Sequence, residues 1–344
     1  MSIFNVKHIL LALACGLALC GAVHATDISG AGATFPYPVY SKWADAYKQQ
    51  TGIGLNYQSI GSGGGIKHIK AKTVTFGASD MPLEVADLQS SGLVQFPTII
   101  GGVVPVVNVK GVQGGQMVLD GATVASIYLG EITQWNDARI HKLNPALALP
   151  ATAIAPIYRS DGSGTNFLFS TYLSNSSPKF KETIGAATSV QWPVGIGAKG
   201  NEGVANMTAQ TDGAIGYVEY AYAKQNRMAY TDLVNASGRK VAPDAETFQA
   251  AAANADWAHA PGYHLILTNQ PGEKSWPITG ASFILVYAVP PKPADTAAAL
   301  KFFDWAFRNG GKMAADLDYV PLPESLVRQI RETWKTQIRG IPAI

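Results

Sequence analysis

The chain has 344 residues, of which 47% are hydrophobic and 15% are charged, and its formal net charge is +2. The apolar fraction is too high for a disordered chain, and two cysteines are too few for a disulfide scaffold or a four-cysteine zinc site. The small charge also lacks the basic surface by which proteins bind nucleic acid, so the composition indicates a compact globular protein with no nucleic-acid partner, long enough for two domains.

Residues 1–25 have the features of a secretory signal peptide. A polar start at Lys7 precedes an apolar run over residues 9–23, and small residues then end at Ala25, so we expect cleavage near Ala25 and export. An anchor helix is the alternative, but the run of about 15 residues is shorter than the ~20 that span a bilayer. A lipoprotein attached through Cys20 is a further alternative. The other cysteine is Cys15, so cleavage removes both.

Helical and strand patterns alternate along the rest of the chain. Apolar residues at helical spacing predict helices over residues 38–49, 123–129, 165–173, 295–307 and 326–338. Apolar and β-branched runs between them predict strands over residues 55–58, 74–78, 98–108, 153–158, 214–218 and 282–289. This alternation is typical of an α/β protein with mostly parallel sheets.

Two long apolar runs, residues 99–107 and 276–286, contain small residues at which a strand can bend. If both runs cross between domains, residues 26–103 and 280–344 form one domain and residues 104–279 form the second, with the cleft between them. The alternative is that both runs are ordinary buried strands of a single sheet. The sequence patterns alone leave these two possibilities open.

Three short segments place hydroxyl residues beside glycine or other small residues, directly before a predicted helix. They contain Thr34 and Phe35, Ser62, and the pair Ser163 and Thr165. Free backbone N–H groups and the positive end of the helix dipole meet at a helix N-terminus, and a hydroxyl adds a further donor. Any one segment is explained by an ordinary N-cap. Three together favour a site for a tetrahedral oxyanion.

Charged residues make this prediction more specific. Arg159 and Asp161 are two residues apart at the end of a predicted strand, so Asp161 can hold the guanidinium while the guanidinium also contacts an anion. Asp80 follows another predicted strand, where it is either a turn residue or part of the site. A carboxylate repels an oxyanion unless the anion donates a proton to it, as phosphate does and sulfate does not near neutral pH.

These segments also resemble a known family. The motifs are TFP at residues 34–36, GSGG at 61–64, GASD at 77–80, RSDGSGT at 159–165 and GAIGYVEYAYA at 213–223. They are similar to the phosphate-binding proteins of phosphate-specific ABC transporters, over nearly the whole mature chain. The resemblance implies the periplasmic-binding-protein (Venus-flytrap) fold, in which two α/β domains joined by a hinge of two crossing strands hold phosphate in the cleft.

The resemblance also assigns roles to individual residues. It implies hydroxyl donors, backbone N–H donors, one cation with its supporting carboxylate, and one acceptor of the phosphate proton: Thr34, Ser62, Ser163 and Thr165; Phe35 and Gly164; Arg159 with Asp161; and Asp80. The partners implied are inorganic phosphate and the inner-membrane permease subunits with their ATPase. We expect a periplasmic monomer without a cofactor, metal or catalytic residue. Where the family often has a second serine, this chain has Gly63.

Three other functions fit the sequence less well. Residues 195–200 match the dinucleotide pattern G-x-G-x-x-G, but we find no preceding strand and no βαβ unit around them. The four histidines after residue 25 have no metal-ligand spacing, and no G-x-S-x-G elbow accompanies Ser163, which argues against a hydrolase. A binding protein for sulfate or molybdate is disfavoured by Asp80.

Overall fold

A computed structural model describes residues 28–253 and 255–344. The predicted signal segment, residues 1–25, lies outside the described residues. In the described part of the chain, no helix is both long enough and apolar enough to cross a bilayer.

The described residues form alternating strands and helices. The strands are β1 (Ile28–Gly32), β2 (Leu55–Ser59), β3 (Phe76–Ser79), β4 (Leu93–Val107), β5 (Val118–Leu119), β6 (Ala155–Arg159), β7 (Ile196–Ala198), β8 (Ala214–Glu219), β9 (Ala229–Tyr230), β10 (Asp232–Val234), β11 (Lys240–Val241) and β12 (Thr279–Tyr287). The helices are α1 (Tyr37–Thr51), α2 (Ser62–Lys70), α3 (Val85–Ser91), α4 (Gly121–Tyr128), α5 (Ala138–Leu143), α6 (Gly164–Ser176), α7 (Pro178–Thr183), α8 (Gly200–Gln210), α9 (Tyr220–Gln225), α10 (Ala245–Ala252), α11 (Pro293–Asn309), α12 (Gly311–Ala315) and α13 (Glu324–Gln337).

The main sheet is mixed, and its strand order is β2-β1-β3-β12-β4-β8-β6-β7, with β9 pairing at the end of β4. Parallel pairs lie at both ends of this order, β1 with β2 and β3, and β6 with β7 and β8. The central pairs formed by β12, β4 and β8 are antiparallel. The predicted α/β fold is confirmed, and its main sheet is mixed rather than mostly parallel.

The long strand β4 connects the two parts of the sheet. Its first ten residues, up to Gly102, pair with β12, and the remainder, from Val103, pairs with β8. The chain returns to the first half beside this point. There the N–H of Val103 donates a hydrogen bond to the carbonyl of Ile278, the residue directly before β12. We call β2, β1, β3, β12 and β4 up to Gly102 the first half, and β8, β6, β7 and the rest of β4 the second half.

Glycine is required at this crossing point because large side chains from the helices pack directly against the backbone. A side-chain carbon on Gly102 would overlap the Phe248 ring, and one on Gly280 would overlap Leu168. Both strands are buried along nearly their full length. The small residues that interrupt these apolar runs therefore allow α10 and α6 to approach the connecting strands.

Most of the predicted elements are present, with shifted ends. The strand predicted from residue 98 begins at Leu93. Its start was missed because the polar Gln95 and Pro97, which has no backbone N–H, interrupt the apolar pattern. Residues 29–32, which precede the Thr34 segment, were not predicted to form a strand. These form strand β1, whose Gly30 lies against the Phe76 ring and whose small residues let neighbouring helices pack closely.

Candidate functional site

The predicted site residues converge at one edge of the sheet. Thr34 and Phe35 follow β1, Ser62 follows β2, and Asp80 follows β3, all in the first half. The second half contributes the end of β6 and the start of α6, which carry Arg159, Ser163, Gly164 and Thr165. The side chains of Thr34, Phe35, Ser62, Asp80, Arg159, Ser163 and Thr165 are each at most 3% exposed. The carboxyl ends of strands are where α/β proteins bind ligands.

Arg159 and Asp161 form a bidentate ion pair, as their spacing predicted. Nε of Arg159 donates to Oδ1 of Asp161 at 2.8 Å, and Nη2 donates to Oδ2 at 2.6 Å. Burial opposes ionisation of Asp161, but the hydrogen bonds and charge of Arg159 outweigh it and hold the pKa of this carboxyl below its ordinary value. The third guanidinium nitrogen, Nη1, is buried and has no hydrogen-bond partner in the described part of the chain.

Asp80 is a buried carboxyl with two hydroxyl neighbours. Ser282 of β12 donates to its Oδ1 at 2.8 Å, and Ser62 lies 3.4 Å from its Oδ2. Burial raises the pKa of Asp80 to about 7, although Ser282, the charge of Arg159 and Ser62 each favour the ionised form. The carboxyl therefore exchanges a proton near neutral pH.

This raised pKa predicts how stability depends on pH in ligand-free protein. Because folding raises the pKa of Asp80 from 3.8 to about 7, its protonated form stabilises the fold below that range. The contribution is lost as the pH rises through the folded pKa. The free energy of unfolding of Asp80→Asn, measured in urea, should therefore increase relative to the unmodified protein between about pH 4 and pH 8.

Asp137 provides the matched control. Hydrogen bonds from Arg139 lower the pKa of Asp137, so its ionised form is the stabilising one. Asp137→Asn should accordingly lose stability relative to the unmodified protein only as the pH rises to about 4, and the difference between the two proteins should stay constant from about pH 4 to pH 8. Parallel stability curves for Asp80→Asn and the unmodified protein would contradict the raised pKa of Asp80.

Ser62 connects the two halves of the protein. Its Oγ accepts hydrogen bonds from the backbone N–H of Asp80, at 3.1 Å, and from that of Gly164 in the second half, at 3.0 Å. One residue along, Gly63 N–H donates to the carbonyl of Gly162 at 2.8 Å. The two segments rich in glycine therefore meet directly across the cleft.

Thr34 and Thr165, from opposite halves, share a partner that the sequence analysis missed. The side-chain amide of Asn201 donates through Nδ2 to Oγ1 of Thr34, at 2.6 Å, and to Oγ1 of Thr165, at 3.3 Å. Asn201 is fully buried in the first turn of α8. The backbone of the preceding Gly200 donates to Oδ1 of Asp161 at 3.1 Å. The start of α8 is thus part of the site.

Two tyrosine hydroxyls hold the Thr34 and Phe35 backbone. Tyr222 of α9 donates to the carbonyl oxygen of Thr34, and Tyr319, which follows α12, donates to that of Phe35, both at 2.6 Å. The Tyr319 hydroxyl also lies 2.7 Å from the buried Glu219. These contacts fix the direction of the peptide groups in this segment.

An ordinary N-cap, the alternative explanation for each hydroxyl segment, is found at Ser163 but not at Ser62 or Thr34. Ser163 is the N-cap of α6, since its Oγ accepts from the N–H of Asn166 at 3.0 Å. Ser62 is the first residue of α2, which has Gly61 as its N-cap. Thr34 is not a cap, because α1 begins at Tyr37 with Pro36 at the N-cap. Its hydroxyl instead meets the start of α8.

The glycine pattern at residues 195–200 also needs a correction. No strand precedes it in the described region between α7 and β7, as expected, but a βαβ unit does surround it. Strand β7 lies within the pattern, α8 begins at its last glycine, and β7 and β8 both pair in parallel with β6. The glycines lead into the helix that carries Asn201, which is the signal by which that residue could have been found.

The sequence analysis also expected no metal site and found no metal-ligand spacing among the histidines. Among residues 28–253 and 255–344, no group of three or more His, Cys, Asp and Glu side chains has a metal-binding arrangement. The histidines there lie at surface positions, where His259 pairs with Asp256 and His264 with Glu84.

Comparison with known proteins places the chain in a family. Residues 21–309 match the model of the PBP superfamily domain. The phosphate-binding protein PstS of Pasteurella multocida is 54% identical over 316 residues, which cover 92% of each chain. The PstS protein of Haemophilus influenzae is 52% identical over 315 residues, covering 92% of this chain and 94% of that relative.

Solved structures agree at the level of the fold. A phosphate-binding protein from Stenotrophomonas maltophilia has a TM-score of 0.67 at 22% identity, covering 91% of this chain and 95% of that one. The periplasmic phosphate-binding protein PfluDING, solved with phosphate bound, has a TM-score of 0.69 at 20% identity and covers 89% and 93%. From the motifs at the sheet edge and the similarity along the chain, we conclude that this protein belongs to the PstS family of phosphate-binding proteins within the PBP superfamily.

Proposed function

We propose that this chain is an extracytoplasmic substrate-binding protein that captures inorganic phosphate, in its mono- and dibasic forms, and delivers it to an ABC permease. The observation that carries the proposal is the buried carboxyl of Asp80 within a cluster of hydrogen-bond donors that contains Arg159. The PstS relatives, which are named for phosphate binding, support the same function.

The donors in this proposal come from both halves. Nη1 of Arg159 is buried and has no hydrogen-bond partner among the residues that the structure describes. An anion bound to this charged donor would remove the cost of burying it unpaired. The N-terminus of α6 adds backbone donors and its dipole. The proposed ligand groups are the hydroxyls of Thr34, Ser62, Ser163 and Thr165, the backbone N–H groups of Phe35 and Gly164, the guanidinium of Arg159 supported by Asp161, and the carboxylate of Asp80.

Asp80 sets the ion selectivity in this account. An ionised carboxylate accepts the proton that mono- and dibasic phosphate retain, whereas sulfate has none to donate and would place two acceptors against each other. Arsenate is protonated like phosphate and should also bind. Gly63 offers only its backbone, whose N–H already donates to Gly162, so no hydroxyl ligand is proposed there.

The ligand is bound and released unchanged in this proposal, without catalysis or a cofactor. Ser163 resembles a nucleophile only in its flanking glycines, since its Oγ accepts from the N–H of Asn166 at the helix start. A general base within hydrogen-bond reach would be needed to activate it. Purified protein should therefore release no phosphate from a phosphomonoester such as p-nitrophenyl phosphate, and turnover that depends on Ser163 would contradict this part.

We also propose the two-domain division at residues 26–103 with 280–344, and residues 104–279. It is supported by the change of β4 from β12 to β8 at Val103 and by the return of the chain beside it. Opening at these connections would separate Ser62 from Gly164 and admit the ligand. In the proposal, cleavage near Ala25 releases the chain into the periplasm, where it is a monomer. It docks there on permease subunits that work with their ATPase.

Gly164 tests whether the halves must close this tightly for binding. A side-chain carbon there would lie 2.5 Å from Cβ of Asp80 and 2.6 Å from Oγ of Ser62. We expect Gly164→Ala to weaken phosphate binding by about one to two orders of magnitude, measured by calorimetry. In the control Gly203→Ala, the added carbon would lie 3.6 Å from Ala198, an ordinary contact, and the affinity should not change.

Titration of ligand-free protein tests the proposed ligand. Phosphate and arsenate should bind with one ion per chain, and sulfate should give no saturable signal at pH 8. Failure of phosphate to bind would contradict the function.

Delivery is tested by uptake of radiolabelled phosphate in cells that lack the chain. Uptake should return with the unmodified protein and not with Arg159→Ala, and full uptake with this variant would contradict the proposed route.

A further inference from the structure

Asn201 is a buried residue whose side-chain amide contacts both proposed threonine ligands. It is not itself one of the proposed ligand groups. Its Nδ2 carries two hydrogens and has two acceptors, Oγ1 of Thr34 and Oγ1 of Thr165. Its backbone N–H also lies 3.3 Å from Oγ1 of Thr34. One residue of α8 therefore donates to a hydroxyl from each half of the protein.

The orientation of this amide is fixed by the backbone. Oδ1 of Asn201 accepts a hydrogen bond from the N–H of Glu219 at 2.9 Å. A flipped amide would place its NH₂ group against that N–H and leave two donors facing each other in a buried position. The NH₂ group is thereby held toward Thr34 and Thr165, which can only accept from it.

Accepting these bonds determines what the hydroxyls can still do. A hydroxyl has one hydrogen and two acceptor lone pairs. Both lone pairs of Thr34 are used by Asn201, and Thr165 accepts from it once. The remaining capacity of the Thr34 hydroxyl is its hydrogen. A hydroxyl that can only donate repels any ligand group that also donates and favours an oxyanion.

We propose that Asn201 is a positioning residue that makes the Thr34 and Thr165 hydroxyls hydrogen-bond donors to the anion. This inference rests on the proposed phosphate-binding function and adds to it a residue that acts through the ligand hydroxyls. Ser62 has an equivalent arrangement built from the backbone, since its Oγ accepts from the N–H groups of Asp80 and Gly164. Asn201 donates hydrogen bonds to the threonine hydroxyl oxygens, as backbone N–H groups do to the hydroxyl oxygen of Ser62.

A double-mutant cycle on phosphate affinity tests the role of Asn201. Asn201→Leu has a similar branched shape without donors, and we expect it to weaken phosphate binding about tenfold, or about 1.4 kcal/mol. In the Thr34→Val background, where the hydroxyl that Asn201 orients is absent, the same substitution should cost about threefold or less. Equal losses in both backgrounds would contradict the proposal.

Asn144 is the matched control for general damage to the fold. It is also a buried asparagine of the second half, and its side chain makes three hydrogen bonds to Val118 and Ile140, beside β5 and α5. Asn144→Leu should lower the melting temperature and leave phosphate affinity unchanged. If it weakens phosphate binding as much as Asn201→Leu does, the effect of Asn201 is structural and the proposal fails.

A second variant keeps the test decisive if Asn201→Leu does not fold. Asn201→Asp retains an oxygen for Glu219 N–H, but its carboxylate draws the Thr34 and Thr165 hydrogens toward itself. Its loss of phosphate affinity should exceed about tenfold and shrink in the Thr34→Val background. If Asn201→Asp weakens phosphate binding equally in both backgrounds, the loss comes from charge repulsion alone, which would contradict the proposal. Absence of phosphate binding by the unmodified protein would instead contradict the proposed function.

Discussion

Replacing Arg159 with alanine should weaken phosphate binding about a thousandfold, the largest loss expected for any single side chain of the site. The substitution removes the cation of the cluster together with Nη1, a donor that has no hydrogen-bond partner within residues 28–253 and 255–344. It also leaves Asp161 beside the anion without the guanidinium that lowers its pKa. Calorimetric titration at pH 8 measures the effect. Arg159→Lys should recover little, because an ammonium cannot hold Asp161 bidentately and also reach the ligand.

The chain contains a matched control for this variant. Arg139 holds Asp137 in the same bidentate way, with Nε and Nη2 each 3.0 Å from a carboxylate oxygen, but its side chain is 47% exposed. Arg139→Ala removes an equal charge from the second half and should leave phosphate affinity within about twofold of the unmodified protein. If both variants bind phosphate equally well, the proposed role of Arg159 is wrong.

Replacing Asp80 with asparagine should produce the second large effect, a loss of discrimination between phosphate and sulfate. The amide offers an N–H donor where the carboxylate offered only acceptors, so sulfate gains a hydrogen bond and escapes a repulsion. We expect sulfate affinity to rise by about two orders of magnitude or more, consistent with the 2–5 kcal/mol associated with an unpaired buried charge. Unchanged selectivity in Asp80→Asn would contradict the role of Asp80.

The raised pKa of Asp80 adds a pH test on the unmodified protein. With a pKa of about 7, the carboxyl is mostly ionised at pH 8 and mostly protonated at pH 5.5, where it can donate to an oxyanion. Sulfate affinity should therefore rise about tenfold between these pH values, as the protonated fraction does. Asp80→Asn lacks this titration, so its sulfate affinity should not change in the same way over the range.

Local sequence patterns predicted the parts of the site that lie close together in the chain. The spacing of Arg159 and Asp161 indicated their ion pair, and glycine-flanked hydroxyls indicated the segments around Ser62 and Ser163. These predictions succeed because a strand end or a helix start determines the geometry within a few residues. Thr34 was also placed in the cluster, although its hydroxyl does not cap a helix.

The parts that the sequence could not predict come from distant elements. Ser282 contacts Asp80 because β12 pairs with β3, an antiparallel arrangement set by tertiary packing. Tyr319 reaches Phe35 across more than 280 positions of the chain. No local pattern distinguishes such a serine or tyrosine from others. Asn201 was within reach of sequence analysis, since its helix follows a glycine pattern that was considered only as a dinucleotide-binding motif and was disfavoured as one.

Competition between phosphate and sulfate is the sharpest test of whether a buried carboxyl selects an anion by accepting its proton. Phosphate is titrated into ligand-free protein at pH 8, with and without about a hundredfold excess of sulfate at matched ionic strength. We expect the same phosphate affinity and stoichiometry in both titrations. A phosphate affinity reduced in proportion to the sulfate present would show that sulfate occupies the site and would contradict the account.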